Sequence, residues 1–308
     1  MKILVTGAAG FVGRWTVSEL SKAHQVIGTD KMALTGSIQA DITNFEQVDT
    51  LFKKVRPDAV IHLAAISGST GKNEIEQSLR QAHLNFLTNA QGTVNVCEAC
   101  RLNGVRRLIY MSSFAVYGRT GKDRLPITPS TPVSLEHAYA TSKYMGELAV
   151  RTYSSDFGIK SAVFRAPFVA GEHQNERNVL LEFIQSAVLG QDLIIYGKGE
   201  HVREFLHPID LVAAFDSALV HMDDFREPSE TFVVGNSPIK MKELAELVVN
   251  IVGNGNVKRL EQAVDRAFDQ FSDYSKTTQF LGWHPKINVE EIIRRILNSD
   301  FVNNYRRY

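Results

Sequence analysis

The sequence predicts an α/β fold, a doubly wound parallel sheet with a smaller C-terminal α/β lobe. Three observations carry that reading. Short β-branched runs alternate with helix-patterned stretches through the first half, a glycine-rich loop joins the first strand to the first helix, and beyond about Ser161 the rhythm loosens into shorter elements separated by Gly- and Pro-bearing loops.

Ile3 to Thr6, Gln25 to Asp30, Ala59 to Leu63 and Arg107 to Met111 read as strands, each too short to be a helix. The clearest helix is Thr43 to Arg56. Thr43 and Glu46 form a capping box, Phe45, Val48, Leu51, Phe52 and Val55 make one apolar stripe, and Pro57 ends it. A further helix opens at Tyr139 and stops at Gly158. A strand (Ser161 to Arg165), a helix (Val179 to Gly190), a strand (Leu193 to Tyr196) and two helices (Ile209 to His221, Lys240 to Ile251) follow. The expected division is a nucleotide-binding domain over residues 1–165 and a second lobe over 166–308, with segments of the latter returning to the first. Gly253-Asn254-Gly255-Asn256 reads as a turn, because periodic structure resumes soon after it.

With 44% hydrophobic and 22% charged residues, the 308-residue chain reads as an ordinary globular protein. Lys plus Arg equals Asp plus Glu at 34 each, so no global positive field holds nucleic acid or an anionic membrane. The N-terminus runs directly into an apolar strand, and no apolar run approaches the roughly 18 residues a membrane span needs. A cytoplasmic location is expected. Cys97 and Cys100 form a C-x-x-C, which elsewhere can mean redox chemistry or half a zinc site. Without a second pair or a nearby histidine they are expected to be reduced, buried helix residues, and no metal site is expected.

After the first strand comes Thr6-Gly7-Ala8-Ala9-Gly10-Phe11-Val12-Gly13. Gly7 permits a tight turn, Gly10 lets backbone N–H groups approach a pyrophosphate, and Gly13 lets helix and strand pack closely. A plain strand-to-helix turn would be the bland alternative. The loop's place between strand and helix, and the second strand ending at Asp30, 23 residues after Gly7, argue for a dinucleotide whose ribose hydroxyls meet that carboxylate. Its charge would repel a 2′-phosphate and so favours NAD, although Lys31 beside it could attract that phosphate.

Tyr139-Ala140-Thr141-Ser142-Lys143 places a phenol and an ammonium on one helix face. A free phenol, with pKa about 10, is too weak a base at neutral pH, and a neighbouring cation brings it toward the working range. The strand Arg107 to Met111 ends in Ser112-Ser113-Phe114-Ala115-Val116-Tyr117-Gly118, and strand C-termini form the ligand crevice of this fold class.

Together, TGAAGFVG, Asp30, Asp41-Ile42, His62-Leu63-Ala64-Ala65, Asn89 with Gly92-Thr93, SSFAVYG and YATSK resemble the extended short-chain dehydrogenase/reductase family, especially its nucleotide-sugar epimerases and dehydratases, from Met1 to about Pro285. The resemblance implies a Rossmann-type fold, bound NAD and a catalytic triad of Ser113, Tyr139 and Lys143. Ser113 would polarise the substrate oxygen, Tyr139 would exchange its proton, and Lys143 would also hold the nicotinamide ribose. It implies further that Phe11 and Val12 belong to the phosphate loop, that Asp41 and Ile42 touch adenine, that Leu63, Ala64 and Ala65 line the cofactor, and that Asn89 fixes the long helix. From the residues alone, the alternative for each of these is an interior packing role.

The family's dehydratases and decarboxylases carry acidic residues between the serine or threonine and the valine, where this chain has Phe114 and Ala115. That departure leaves hydride chemistry, internal or net, of which a 4-epimerase, expected on a UDP-sugar, is the simplest case. A net oxidoreductase on a sugar nucleotide, free sugar or hydroxy compound would use the same triad. A dinucleotide-binding sensor without turnover would be expected to have lost the tyrosine or lysine.

For the substrate, Asn178-Val179 opens a helix whose N–H groups could meet a phosphate. Arg203, in a segment resembling the family's G-x-G-x-x-x-R-D/E-F-x-H, is expected at the diphosphate, with a surface ion pair to Glu204 or Glu200 as the alternative. Phe168 stands where the family often has a sugar-facing asparagine, which suggests a more apolar pocket. Arg266 is a candidate second phosphate ligand. The resemblance also implies a homodimer through the helices around 89–102 and 139–153, with Phe86, Val94, Met145 and Leu148 as contacts.

Overall fold

The computed structural model describes residues 1–33, 35–66, 81–174, 178–262 and 268–299. Strand β1 (Lys2–Thr6) leads into α1 (Phe11–Leu20), followed by β2 (Gln25–Asp30), β3 (Ser37–Gln39), α2 (Phe45–Val55) and β4 (Ala59–His62). A π-helical turn, Phe86–Gln91, runs into α3 (Gly92–Leu102), then come β5 (Arg107–Met111), α4 (Ala138–Phe157) and β6 (Lys160–Arg165). The remainder contains β7 (Phe168–Val169), α5 (Val179–Val188), β8 (Asp192–Tyr196), β9 (Val202–Arg203), β10 (Phe205–Leu206), α6 (Pro208–His221), β11 (Ser229–Val233), β12 (Ile239–Lys240), α7 (Met241–Val252), β13 (Asn256–Leu260), α8 (Ser275–Leu281) and α9 (Val289–Asn298).

Seven strands form one parallel sheet in the order β11-β6-β5-β4-β1-β2-β3. The winding direction reverses between β1 and β4, so a crevice opens at their C-terminal ends, the ligand position of such sheets. Helices cover both faces, which is why the strands read as continuous apolar runs. Ile3, Val5, Ile61, Ile109 and Phe164 pack in one core with Phe215 of α6. Their neighbours Leu4, Val60, Leu108 and Val163 pack in another with Phe52 of α2 and Val96 of α3. A third core joins Leu180 and Ile184, Leu193, Leu244 and Ile293 in the C-terminal lobe. Chain after Arg165 returns to the main sheet, since β11 pairs β6 and α6 packs against α1.

Helix α2 starts one residue later than the sequence predicts. Asn44 caps it, its side chain accepting from the Gln47 N–H at 3.1 Å, while the Thr43 hydroxyl donates to Asp41 at 2.8 Å. Asp41 also accepts the Thr43 N–H at 2.9 Å and so holds Thr43 in a turn outside the helix. Asparagine caps at least as well as threonine. Cys97 and Cys100 are free, buried thiols in α3, and burial pushes Cys97 up to about 12, leaving it unreactive.

Candidate active site

The phosphate loop is built from close approaches. Gly7 has φ 74°, and a Cβ there would fall 2.6 Å from the Ala64 nitrogen at the end of β4. A Cβ at Gly13 would run into the Gly7 carbonyl. The Gly10 N–H returns to that same carbonyl at 3.0 Å, and Gly10 caps α1 without a side chain. The first-turn N–H groups of Phe11, Val12 and Gly13 therefore stand at a bare helix N-terminus suited to a pyrophosphate. Asp30 is fixed on both oxygens, accepting from Ala9 N and Met32 N at 3.0 Å each.

Beside this loop lies a cavity of about 230 Å³, lined by Gly7, Gly10, Asp30, Lys31, Asp41, Ile42, Leu63, Ala64 and Ala65, all expected from the sequence. Thr29, Ala40, Thr43, Ile66, Leu84, Leu87 and Thr88 also line it and were not expected. Leu84 and Thr88 lie four apart, one helical turn, immediately before Asn89, the spacing by which they could have been found. The cradle that extra Cβ atoms would fill, the paired Asp30 oxygens and the cavity fit a dinucleotide.

Asn89 lies behind the cavity, fully buried. It donates to Ser142 Oγ on α4 at 3.0 Å and to the Ile66 carbonyl at 3.1 Å, and accepts from Ile66 N at 2.8 Å, so it pins the long helix to the end of β4.

At the next strand end, β5 continues into the Ser113 loop. Ser112 N donates to the Phe164 carbonyl at 2.7 Å and Phe114 N to the Ala166 carbonyl at 2.9 Å, so Ser113 is held from both sides along β6. The Ser113 hydroxyl oxygen accepts from Ala115 N at 3.1 Å. Tyr139 and Lys143 lie on the first two turns of α4, which is capped by the His137 side chain. The His137 ring stacks on Tyr139 with 6.2 Å between centroids.

Lys143 is buried, with Nζ 4.4 Å from the centroid of the Tyr110 ring. Burial lowers it to about 7, opposed by the negative charge of Glu147 one turn on. On β4, His62 bridges Thr6 (2.6 Å) and Thr93 (3.0 Å). Thr93 donates its proton to the Asn89 carbonyl, so His62 Nε2 must donate to Thr93 and Nδ1 must accept from Thr6. Burial pushes His62 down to about 3, so it is neutral beside Lys143.

In the second lobe, Asn178 caps α5 by accepting from Leu181 N at 3.0 Å, and Val179 follows it. Arg203 lies over the Phe268 ring at 4.6 Å and donates to the Phe268 carbonyl. Neither acid named as an ion-pair alternative is left exposed to it alone. Glu200 takes Lys242 (2.6 Å) and Lys240 (3.1 Å), and buried Glu204 accepts from Ser272 at 2.8 Å. Phe168 is 43% exposed and stacks on buried Phe205. Arg266 lies outside the described residues.

Comparison with known proteins agrees with this architecture. A family model described as the NAD dependent epimerase/dehydratase family matches residues 3–235. A putative UDP-glucose 4-epimerase from Methanocaldococcus jannaschii is 29% identical over 96% of this chain and 97% of its own length. The dTDP-D-glucose 4,6-dehydratase of Mus musculus is 27% identical over 96% of this chain and 87% of its own. The crystal structure of the Thermus thermophilus UDP-glucose 4-epimerase in complex with NAD superposes with a TM-score of 0.79 at 25% identity, covering 99% of each chain.

Proposed function

Because the chain belongs to the NAD-dependent epimerase/dehydratase family, we propose that it is a nucleotide-sugar epimerase, a 4-epimerase of a UDP-sugar, with Ser113, Tyr139 and Lys143 as its catalytic residues. The observation that carries the reading is the buried Lys143 on the same helix face as Tyr139, beside a serine loop whose next two residues, Phe114 and Ala115, have no proton to exchange. Elimination needs a second acid or base, and the loop offers none at those positions.

Lys143 in its charged form stabilises the Tyr139 phenolate, which takes the proton of the substrate hydroxyl. Ser113 donates a hydrogen bond to the same oxygen. NAD held by the Gly7–Gly13 loop, Asp30 and Lys143 would supply the acceptance and return of hydride at the carbon that carries this hydroxyl. The resulting ketone turns over in the pocket, Tyr139 returns the proton, and the opposite configuration results. Arg203 is assigned to the diphosphate with the N-terminus of α5 (Asn178, Val179), and Phe168 to an apolar wall of the sugar pocket.

Met145 (45% exposed) and Leu148 (47%) on α4, Phe86 (37%) on the π-turn and half-buried Val94 on α3 are apolar side chains that we assign to a homodimer face. The enzyme is assigned to the cytoplasm. Among the described residues no helix is long and apolar enough to cross a membrane. The test is turnover of UDP-glucose and UDP-galactose by purified protein without added cofactor, with analysis of the co-purified dinucleotide. Interconversion with retained NAD supports the proposal. Stoichiometric reduction of added NAD without epimer formation replaces it with a net oxidoreductase.

A further inference from the structure

Glu147 is a carboxylate that neither touches the reacting positions nor meets water. It lies one turn beyond Lys143 on α4 and is wholly buried. Oε1 accepts from Ser112 Oγ at 2.5 Å and from Arg165 Nε at 2.9 Å, and Oε2 accepts from Arg165 at 2.7 Å and from Arg151 at 3.0 Å. Arg165, also buried, donates to Tyr117 Oη at 2.9 Å and to the Pro129 carbonyl at 3.3 Å. One carboxylate thus ties the helix of Tyr139 and Lys143 to the ends of β5 and β6 and, through Arg165, to the loop that follows Ser113.

We propose that Glu147 is a positioning residue for the Ser113–Tyr139–Lys143 set, fixing the Ser113 loop against α4 through Ser112 and favouring the Lys143 ammonium through its own negative charge. The inference rests on the catalytic assignment above. A buried ion pair is poor evidence of stability alone, because well-packed apolar residues of similar volume often serve as well. The Ser112 bond is different in kind. It is short and charge-assisted, and it holds the residue adjoining Ser113. The groups acting on Lys143 are the Tyr110 ring on β5, neutral His62 on β4 and, on its own helix, Glu147, whose carboxylate also carries Arg165 from β6 and Arg151. Burial lowers Lys143, and Glu147 is the anion that opposes this.

The experiment measures kcat, KM, the pH profile and Tm for Ser112→Ala, Glu147→Gln and Tyr139→Phe in the full-length protein. Ser112→Ala removes one hydrogen bond and no charge. It is expected to lower kcat roughly tenfold, with KM and NAD retention near wild type, as a small misplacement of a catalytic group does. Glu147→Gln removes the anion beside Lys143, so the alkaline limb of kcat moves to lower pH, a change that a purely structural role would not produce. A wild-type kcat in Ser112→Ala overturns the proposal, as does an unmoved alkaline limb in folded Glu147→Gln. Should Glu147→Gln not fold, Ser112→Ala decides alone. If Tyr139→Phe turns over normally, the catalytic assignment itself falls. If Tyr139→Phe is inactive while the other two variants are normal, only the positioning role falls.

Discussion

Gly146, between Lys143 and Glu147 on α4, is a close approach of that helix to Tyr110 of the sheet beneath the proposed site, and Gly146→Ala is the sharpest test of that packing. A Cβ there would overlap Tyr110 Oη and fall 2.7 Å from Tyr110 Cζ and 3.0 Å from the Asn89 carbonyl oxygen. Carbon contacts settle at about 3.5–4.0 Å, so roughly 1 Å must be found. Tyr110 cannot supply it, being fully buried on β5 with its hydroxyl donating to the Lys143 carbonyl at 3.1 Å. The helix must lift instead. Overpacking of this kind costs about 1–3 kcal/mol, offset by the ~0.5–1 kcal/mol that alanine gains over glycine in a helix. An overlap this deep belongs in the upper half of that range, so the net loss is about 1–2.5 kcal/mol and lowers Tm by several degrees, at roughly 2–4 °C per kcal/mol in a large domain. Because Tyr139 and Lys143 ride on the displaced helix, kcat falls by up to ~100-fold. Tyr110→Phe alone loses one hydrogen bond, about 1 kcal/mol, yet it removes the worst overlap, so the double variant is more stable than the two single effects sum to. Thermal unfolding and steady-state turnover of all four proteins measure this. A Gly146→Ala protein with wild-type Tm and kcat, or strictly additive effects, refutes the argument.

Asp30→Asn keeps the shape of a side chain whose two oxygens accept Ala9 N and Met32 N, and removes its charge. A charge at ~4 Å is worth about 1–4 kcal/mol between water-like and surface dielectrics, so the preference for NAD over NADP should fall at least about fivefold in direct binding titrations. An unchanged ratio would remove Asp30 as the selector. Burial pushes Glu204 up to about 8, so between about 4.5 and 8 the native state keeps a proton that the unfolded chain has lost, and stability falls as pH rises through that window. Glu204→Gln, permanently neutral, should match wild type below about pH 4 and exceed it increasingly up to pH 8.5 in urea midpoint, and a pH slope over that window that persists in the variant counts against the argument. Met145→Asp with Leu148→Arg should convert the proposed dimer to a monomer in sedimentation, and a wild type that is already monomeric, or a variant that stays dimeric, counts against this face.

The parts of the fold that the sequence makes legible are those where one pattern has one physical solution. Strands β2 and β5 have the bounds the sequence predicts, β2 between polar Gln25 and Asp30, and β5 because Leu108, Ile109 and Tyr110 make the short apolar run of a parallel strand buried on both faces. Gly158 ends α4 in the left-handed conformation, as a glycine at that position would. Strand β3, three residues at the sheet edge, has no pattern to detect, and β11 is a strand only because β6 lies beside it, 68 residues away in register. Thr43 shows how a local rule can be right in kind and wrong by one residue. Two adjacent caps competed, and the Asp41 turn decided between them.

The site divides along the same line. The glycine loop is readable because its backbone must pass where no Cβ fits, and Tyr139 with Lys143 because helix geometry brings residues four apart together. Glu147 follows the same spacing, yet in sequence it has the look of a solvated charge paired with Arg151 four residues on. Its meaning comes from Ser112 and Arg165, which arrive from two strand ends 35 and 18 residues away. Arg203 and Glu204 illustrate the converse. Adjacent opposite charges suggest a surface pair, but alternation along the chain sends the carboxylate inward to Ser272 and leaves the guanidinium over the Phe268 ring. A charged residue near an active site is therefore interpretable only once its burial is known, because burial decides whether its charge is screened by water or imposed on the nearest catalytic group.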